Sequence, residues 1–126
     1  MSRDLLSKYF SLEELDCRCG RRKGHYCITP TFDEDFLYTL DRIRERWDKP
    51  IRVSSGLRCK YWNAYHGGKK NSQHLLGKAI DLKIKIHEML DFLDLVRGYK
   101  KITGIGLSKH FVHLDCAPGK RRFWIY

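Results

Sequence analysis

Ser72-Gln73-His74-Leu75-Leu76-Gly77-Lys78-Ala79-Ile80-Asp81-Leu82-Lys83-Ile84 changes its hydrophobic period partway along, and the rest of the chain is best read outward from that change. From Ala79 onward, Ile80, Leu82 and Ile84 alternate with Ala79, Asp81 and Lys83, the two-residue period of a strand with one buried face. Asp81 therefore points away from the apolar side. The same alternation returns at Phe111–Cys116, where Val112, Leu114 and Cys116 share one face and Phe111, His113 and Asp115 the other. Two strands thus each expose a side chain able to bind a metal, and His74 precedes Asp81 by seven residues across a glycine. Two imidazoles and a carboxylate are ligand types that a catalytic zinc uses, with a fourth position left for water.

The remaining elements supply a frame for those strands. Ser11 and Glu14 form a capping box, with Phe10 and Leu15 placed as a hydrophobic staple, so a short helix is expected after Ser11. Thr31 and Glu34 form a second box, and Phe36, Leu37, Leu40, Ile43 and Trp47 follow at helical spacing until Lys49-Pro50. Ile51-Arg-Val53 reads as a strand entering a polar loop from Ser54 to about Ser72, a length that points to function. Met89, Leu90, Leu93 and Val96 mark another helix closed by Gly98, and Ile102–Leu107 reads as a strand. The expected fold is α+β, a small antiparallel sheet backed by helices, with residues 1–126 forming one domain.

Composition narrows the partners. Lys and Arg number 25 against 15 Asp and Glu, and no acid lies between Asp48 and Asp81, where Lys49, Arg52, Arg58, Lys60, Lys69, Lys70 and Lys78 fall. An anionic partner is implied, whether nucleic acid, an acidic lipid surface or an anionic cell-wall polymer. The longest apolar run is four residues, Phe123–Tyr126, and the start carries no stretch of signal-peptide length, so membrane insertion and signal-led secretion are not expected. Five cysteines cannot all pair, which favours a reduced compartment at synthesis. Cys17, Cys19, Cys27 and Cys59 could ligate a structural zinc, although their spacing fits none of the usual Cys-x-x-Cys pairs.

The ten residues Ser72–Asp81 carry Ser, His, Gly, Ala and Asp in the pattern Ser-x-His-x-x-Gly-x-Ala-x-Asp. This resembles the first zinc signature of the D-alanyl-D-alanine carboxypeptidase and L-alanyl-D-glutamate endopeptidase family. Gly104-Ile-Gly106 followed by Phe111-Val-His113-Leu-Asp115 is similar to its second signature, and Arg122-Phe-Trp124 to its terminal pattern. Ser55-Gly56-Leu-Arg58, Asn63, the pair Gly67-Gly68 and the Cys-x-Cys-Gly of Cys17–Gly20 resemble the short, phage-associated branch, whose third cysteine comes sooner than Cys27.

The resemblance implies a hedgehog-like fold with helices on one face of the sheet and one catalytic Zn2+ on the other. His74, Asp81 and His113 would hold the ion, and Arg58 would bind the substrate's carboxylate, for which a guanidinium fork is suited. The family's usual acid, three residues before the last zinc histidine, is replaced by His110. Asp115, on the same strand face as His113, is the substitute proton acceptor or else an orienting group, and His110 is a candidate proton donor. Ser72 and Gln73 are expected to bind substrate or orient His74, while His25, His66 and His87 read as surface or structural residues.

The implied activity is hydrolysis of D-amino-acid-containing stem or cross-link peptides of peptidoglycan, with the basic loop steering toward the wall. Delivery would follow the endolysin route, through a pore made by another protein, or the virion route, and a monomer is the default. An inactive zinc-containing wall-binding module of the same fold is the alternative. A nucleic-acid binder ranks last, since Trp47, Trp62 and Trp124 accompany the basic stretch without any reading motif.

Overall fold

Ser11 accepts a hydrogen bond from Glu14 N, and Glu14 Oε1 accepts one from Ser11 N, both at 3.0 Å, opening helix α1 (Leu12–Leu15) as the capping box predicts. The computed structural model describes residues 7–20 and 26–126. The second box is not used. Asp33, not Thr31, caps α2 (Glu34–Trp47), its carboxylate accepting from Phe36 N at 2.8 Å. The chain before it is held elsewhere, with Asp33 N donating to Gly77 O at 2.9 Å. Asp48 ends the helix in the left-handed region at φ 58°, ahead of Lys49-Pro50.

Five strands follow: β1 (Arg52–Ser55), β2 (Ala79–Lys83), β3 (Gly104–Leu107), β4 (Val112–Asp115) and β5 (Arg122–Ile125), in the order β1-β2-β4-β3-β5. The first three pairings are antiparallel, but β5 runs parallel to β3, so the sheet is mixed, which corrects the antiparallel expectation. β4 is already flanked by β2 and β3 and has no edge to offer. β5 therefore passes it and takes the open edge of β3.

Phe36, Leu37, Leu40 and Ile43 of α2 and Phe92 and Val96 of α4 (Met89–Val96) share one core with Ile80, Leu82, Val112 and Leu114 of the sheet. Trp47 meets Phe92 edge to face at 5.1 Å, tying the two helices together. On α4 the buried stripe is Met89, Phe92 and Val96, and Leu90, expected on that stripe, is 81% exposed. One residue's step turns Leu90 about 100° away from Met89. The expected loop after Ser54 holds a further helix, α3 (Lys60–Tyr65), too short to show an apolar period.

Candidate metal centre

The register places the site's groups in one row across the sheet. A bulge after Val53 sets Ser55 opposite Asp81, Asp81 pairs with His113, and His113 with Gly106, whose other neighbour is Trp124. A second row joins Asp115, Gly104 and Arg122. The two glycines are required by crowding: a Cβ at Gly104 would meet the Asp115 carboxylate, and one at Gly106 the Trp124 indole at 2.6 Å. With hydrogen in those places, Arg122 reaches over β3 to Asp115, and the Trp124 ring lies 5.2 Å from that of His113.

His74 arrives from outside the sheet, on a single turn of 3-10 helix (Gln73–Leu76). Ser72 Oγ caps that turn by accepting from His74 N at 3.2 Å, and Gly77 ends it at φ 70°. His74 Nδ1 lies 2.7 Å from Gly56 O, and a carbonyl can only accept, so Nδ1 carries the proton and Nε2 presents its lone pair. That nitrogen lies 3.3 Å from Asp81 Oδ1, and His113 Nδ1 lies 2.9 Å from the same oxygen. One donor atom from each of His74, Asp81 and His113 falls within 4.8 Å of the others, all in residues 3–7% exposed.

Two flanking groups fix the set. Asp115, 2% exposed, takes the far edge of the His113 ring, with Oδ2 at 2.8 Å from Nε2, while its Oδ1 accepts from Ala117 N at 3.1 Å and from Arg122. Arg58 sits on the outer side of Asp81: Nη2 donates to Oδ2 at 3.3 Å, Nε to Ser55 Oγ and Nη1 to Asn63 Oδ1, both at 3.1 Å. Burial pushes the Asp81 carboxyl up, yet the hydrogen bond from His113 and the adjacent His74 ring outweigh it and hold the group below the usual carboxylate range. Burial pulls His113 down, and its bonds to Asp115 and Asp81 more than compensate, raising it above an ordinary histidine. Asp115 follows Asp81: burial raises it, and donors from His113, Ala117 and Arg122 lower it further. In the absence of a cation, protons are thus held between these groups.

The set lies in an open cleft of about 1150 Å³ lined also by Arg18, Arg58, Lys69 and Arg122. Ser72 and Gln73 line it, and Gln73 Oε1 is buried without a hydrogen-bond partner. His110 is exposed and outside the cleft-lining residues, its N–H bonded to Ser108 Oγ. Asp115 is turned to the opposite edge of the imidazole from Asp81, with its oxygens engaged by His113, Ala117 and Arg122. His66 lines the cleft although the sequence reads as giving it no role, and His25 lies outside the described residues. Trp124 and Tyr126 were also missed as wall residues, and the register of β5 beside the glycine strand is the signal that would have found them.

Two imidazole nitrogens and a carboxylate oxygen, converging with one side open to a cleft, form the kind of donor set that hydrolytic zinc sites use, and the aimed Nε2 of His74 and ring-fixing Asp115 fit such an ion. The chain belongs to the peptidase M15 family, whose profile matches residues 8–115. It is also 37% identical over 91 residues to the zinc D-Ala-D-Ala carboxypeptidase of Streptomyces albus G, an alignment covering 70% of this chain and 36% of that protein. The chain therefore spans well under half of that relative's length. Among the described residues, no helix is long and apolar enough to cross a membrane.

Proposed function

We propose that this chain is a zinc peptidase that hydrolyses D-amino-acid-containing peptide bonds of bacterial peptidoglycan. The observation that carries the reading is the convergence of His74, Asp81 and His113 on the floor of a basic cleft. A zinc ion held by His74 Nε2, His113 Nδ1 and an Asp81 oxygen would supply Lewis acidity and a bound water acidified to about pKa 7. Every other task falls to the protein. Asp115 fixes the His113 ring so that Nδ1 faces Asp81, and Arg58 holds the far oxygen of Asp81. Arg58 engages three acceptors, leaving guanidinium N–H groups for a substrate carboxylate, and Arg18, Lys69 and Arg122 add to the attraction for acidic stem peptides. The unpaired amide oxygen of Gln73 is available to a substrate N–H.

A carboxypeptidase or endopeptidase cut, and an endolysin-like setting, belong to the same proposal. The similarity to a zinc D-Ala-D-Ala carboxypeptidase supports the substrate class. The inactive wall-binding module is favoured by one feature: Asp81 and Asp115 are the sole Asp or Glu residues lining the cleft among the described residues, and both are engaged. Mass analysis of purified muropeptides incubated with zinc-loaded protein separates the two. Cleavage that disappears with a chelator and in His74→Ala, Asp81→Ala and His113→Ala is expected. Intact muropeptides beside saturable binding to the wall would establish the inactive module.

A further inference from the structure

Apart from the His74 set, Cys17, Cys19, Cys27 and Cys59 bring their sulfurs within 4.8 Å of one another, and none of them is in a disulfide. The sequence offers these four as a set only loosely, because their spacing fits no usual pair and Cys59 is remote along the chain. The fold removes the distance by stitching the segment after α1 to the end of β1: Leu57 N donates to Leu15 O at 2.8 Å, and Arg18 to Val53 O at 3.2 Å. Burial pushes the Cys17 and Cys27 thiols up in the metal-free chain, while two backbone N–H groups are aimed at sulfur. Cys59 N donates to Cys17 Sγ and Trp62 N to Cys59 Sγ, both at 3.4 Å. A neutral thiol is a weak acceptor, whereas a thiolate gains fully from donors aimed at it.

We propose that Cys17, Cys19, Cys27 and Cys59 hold a second zinc ion in a closed tetrathiolate site that fixes the Arg58 loop to the N-terminal segment. The four thiols release their protons on binding, so the site carries two net negative charges, in a chain whose formal net charge is +10. With Zn–S bonds of about 2.3 Å a tetrahedron has edges of roughly 3.8 Å, so the sulfurs close by about an ångström at most. Four sulfurs leave no position for water, and the role is structural. Its consequence reaches the cleft, because Cys59 adjoins Arg58, whose guanidinium holds Asp81 and Asn63.

Cobalt substitution of the full chain under reducing conditions tests this independently of the peptidase reading. Sulfur-to-cobalt charge-transfer absorption is expected in the wild type, in Cys116→Ser and in His74→Ala/His113→Ala, and is expected to vanish in Cys17→Ser/Cys27→Ser. Should that last variant fail to fold, alkylation of the wild type mapped by mass spectrometry gives the same answer: zinc shields these four thiols and chelation exposes them. Absence of the band from folded wild type, its survival in Cys17→Ser/Cys27→Ser, or zinc that leaves the four thiols as reactive as before would overturn the proposal. Loss of the other ion with the band retained would count against the His74 centre alone.

Discussion

At the scale of single residues, the cleft depends on which edge of an imidazole each neighbour occupies. Asp115 and Asp81 lie on opposite nitrogens of His113, so one carboxylate can hold the ring while the other shares its metal-facing side. Asp115→Asn keeps the shape but removes the charge, and zinc affinity is expected to fall about 10- to 100-fold, with cleavage restored once zinc saturates the protein. Chelator competition followed by a muropeptide assay at saturating zinc checks both halves. A fully loaded but inactive Asp115→Asn would instead make Asp115 the proton acceptor. His110→Ala is expected to leave cleavage unchanged, since that ring is outside the cleft.

Elements show where the sequence was readable and where it was not. β2 and β4 announced themselves because Ile80, Leu82, Val112 and Leu114 enter the core on one face while Asp81 and His113 fall on the other, so the alternation follows from what each face packs against, although both faces are buried. β5 gave no such signal: three of its four residues are exposed, and it joins an edge strand by backbone pairing. α2 was legible in its buried face but not in its start, because Thr31 with Glu34 has the capping-box spacing, whereas Asp33, which caps the helix, has Phe36 three residues on. Asp33→Ala should therefore cost about 1 kcal/mol of stability and Thr31→Ala much less, as read from urea midpoints. Equal losses would return the cap to Thr31. The glycines of β3 were visible as letters and not as a device, since nothing in the sequence tells which side chain crosses above them. Gly104→Ala should destabilise the fold by about 1–3 kcal/mol and loosen Arg122 from Asp115. A neutral midpoint would show that the strands do not approach so closely.

For the whole molecule, metal and protons compete for the same buried groups. In metal-free protein the His113 pKa stands above its ordinary 6.5, so its contribution to stability is complete below that value and is lost as pH rises through the folded one. Asp81 acts in the opposite direction: its depressed pKa stabilises the fold above the ordinary 3.8 and fails only in stronger acid. Zinc requires a neutral His113, so its stabilisation grows with pH. Calorimetry should find chelated protein melting higher at about pH 6 than at about pH 8, and zinc-saturated protein the reverse, because ligand deprotonation favours binding. Parallel trends in both forms would contradict the coupling. The most direct test of the account is anomalous diffraction at the zinc edge from crystals of the loaded protein. It predicts a peak at about 2.0–2.2 Å from His74 Nε2, His113 Nδ1 and an Asp81 oxygen together, with the fourth side facing the cleft. Fully loaded crystals showing no peak between those three side chains would contradict it.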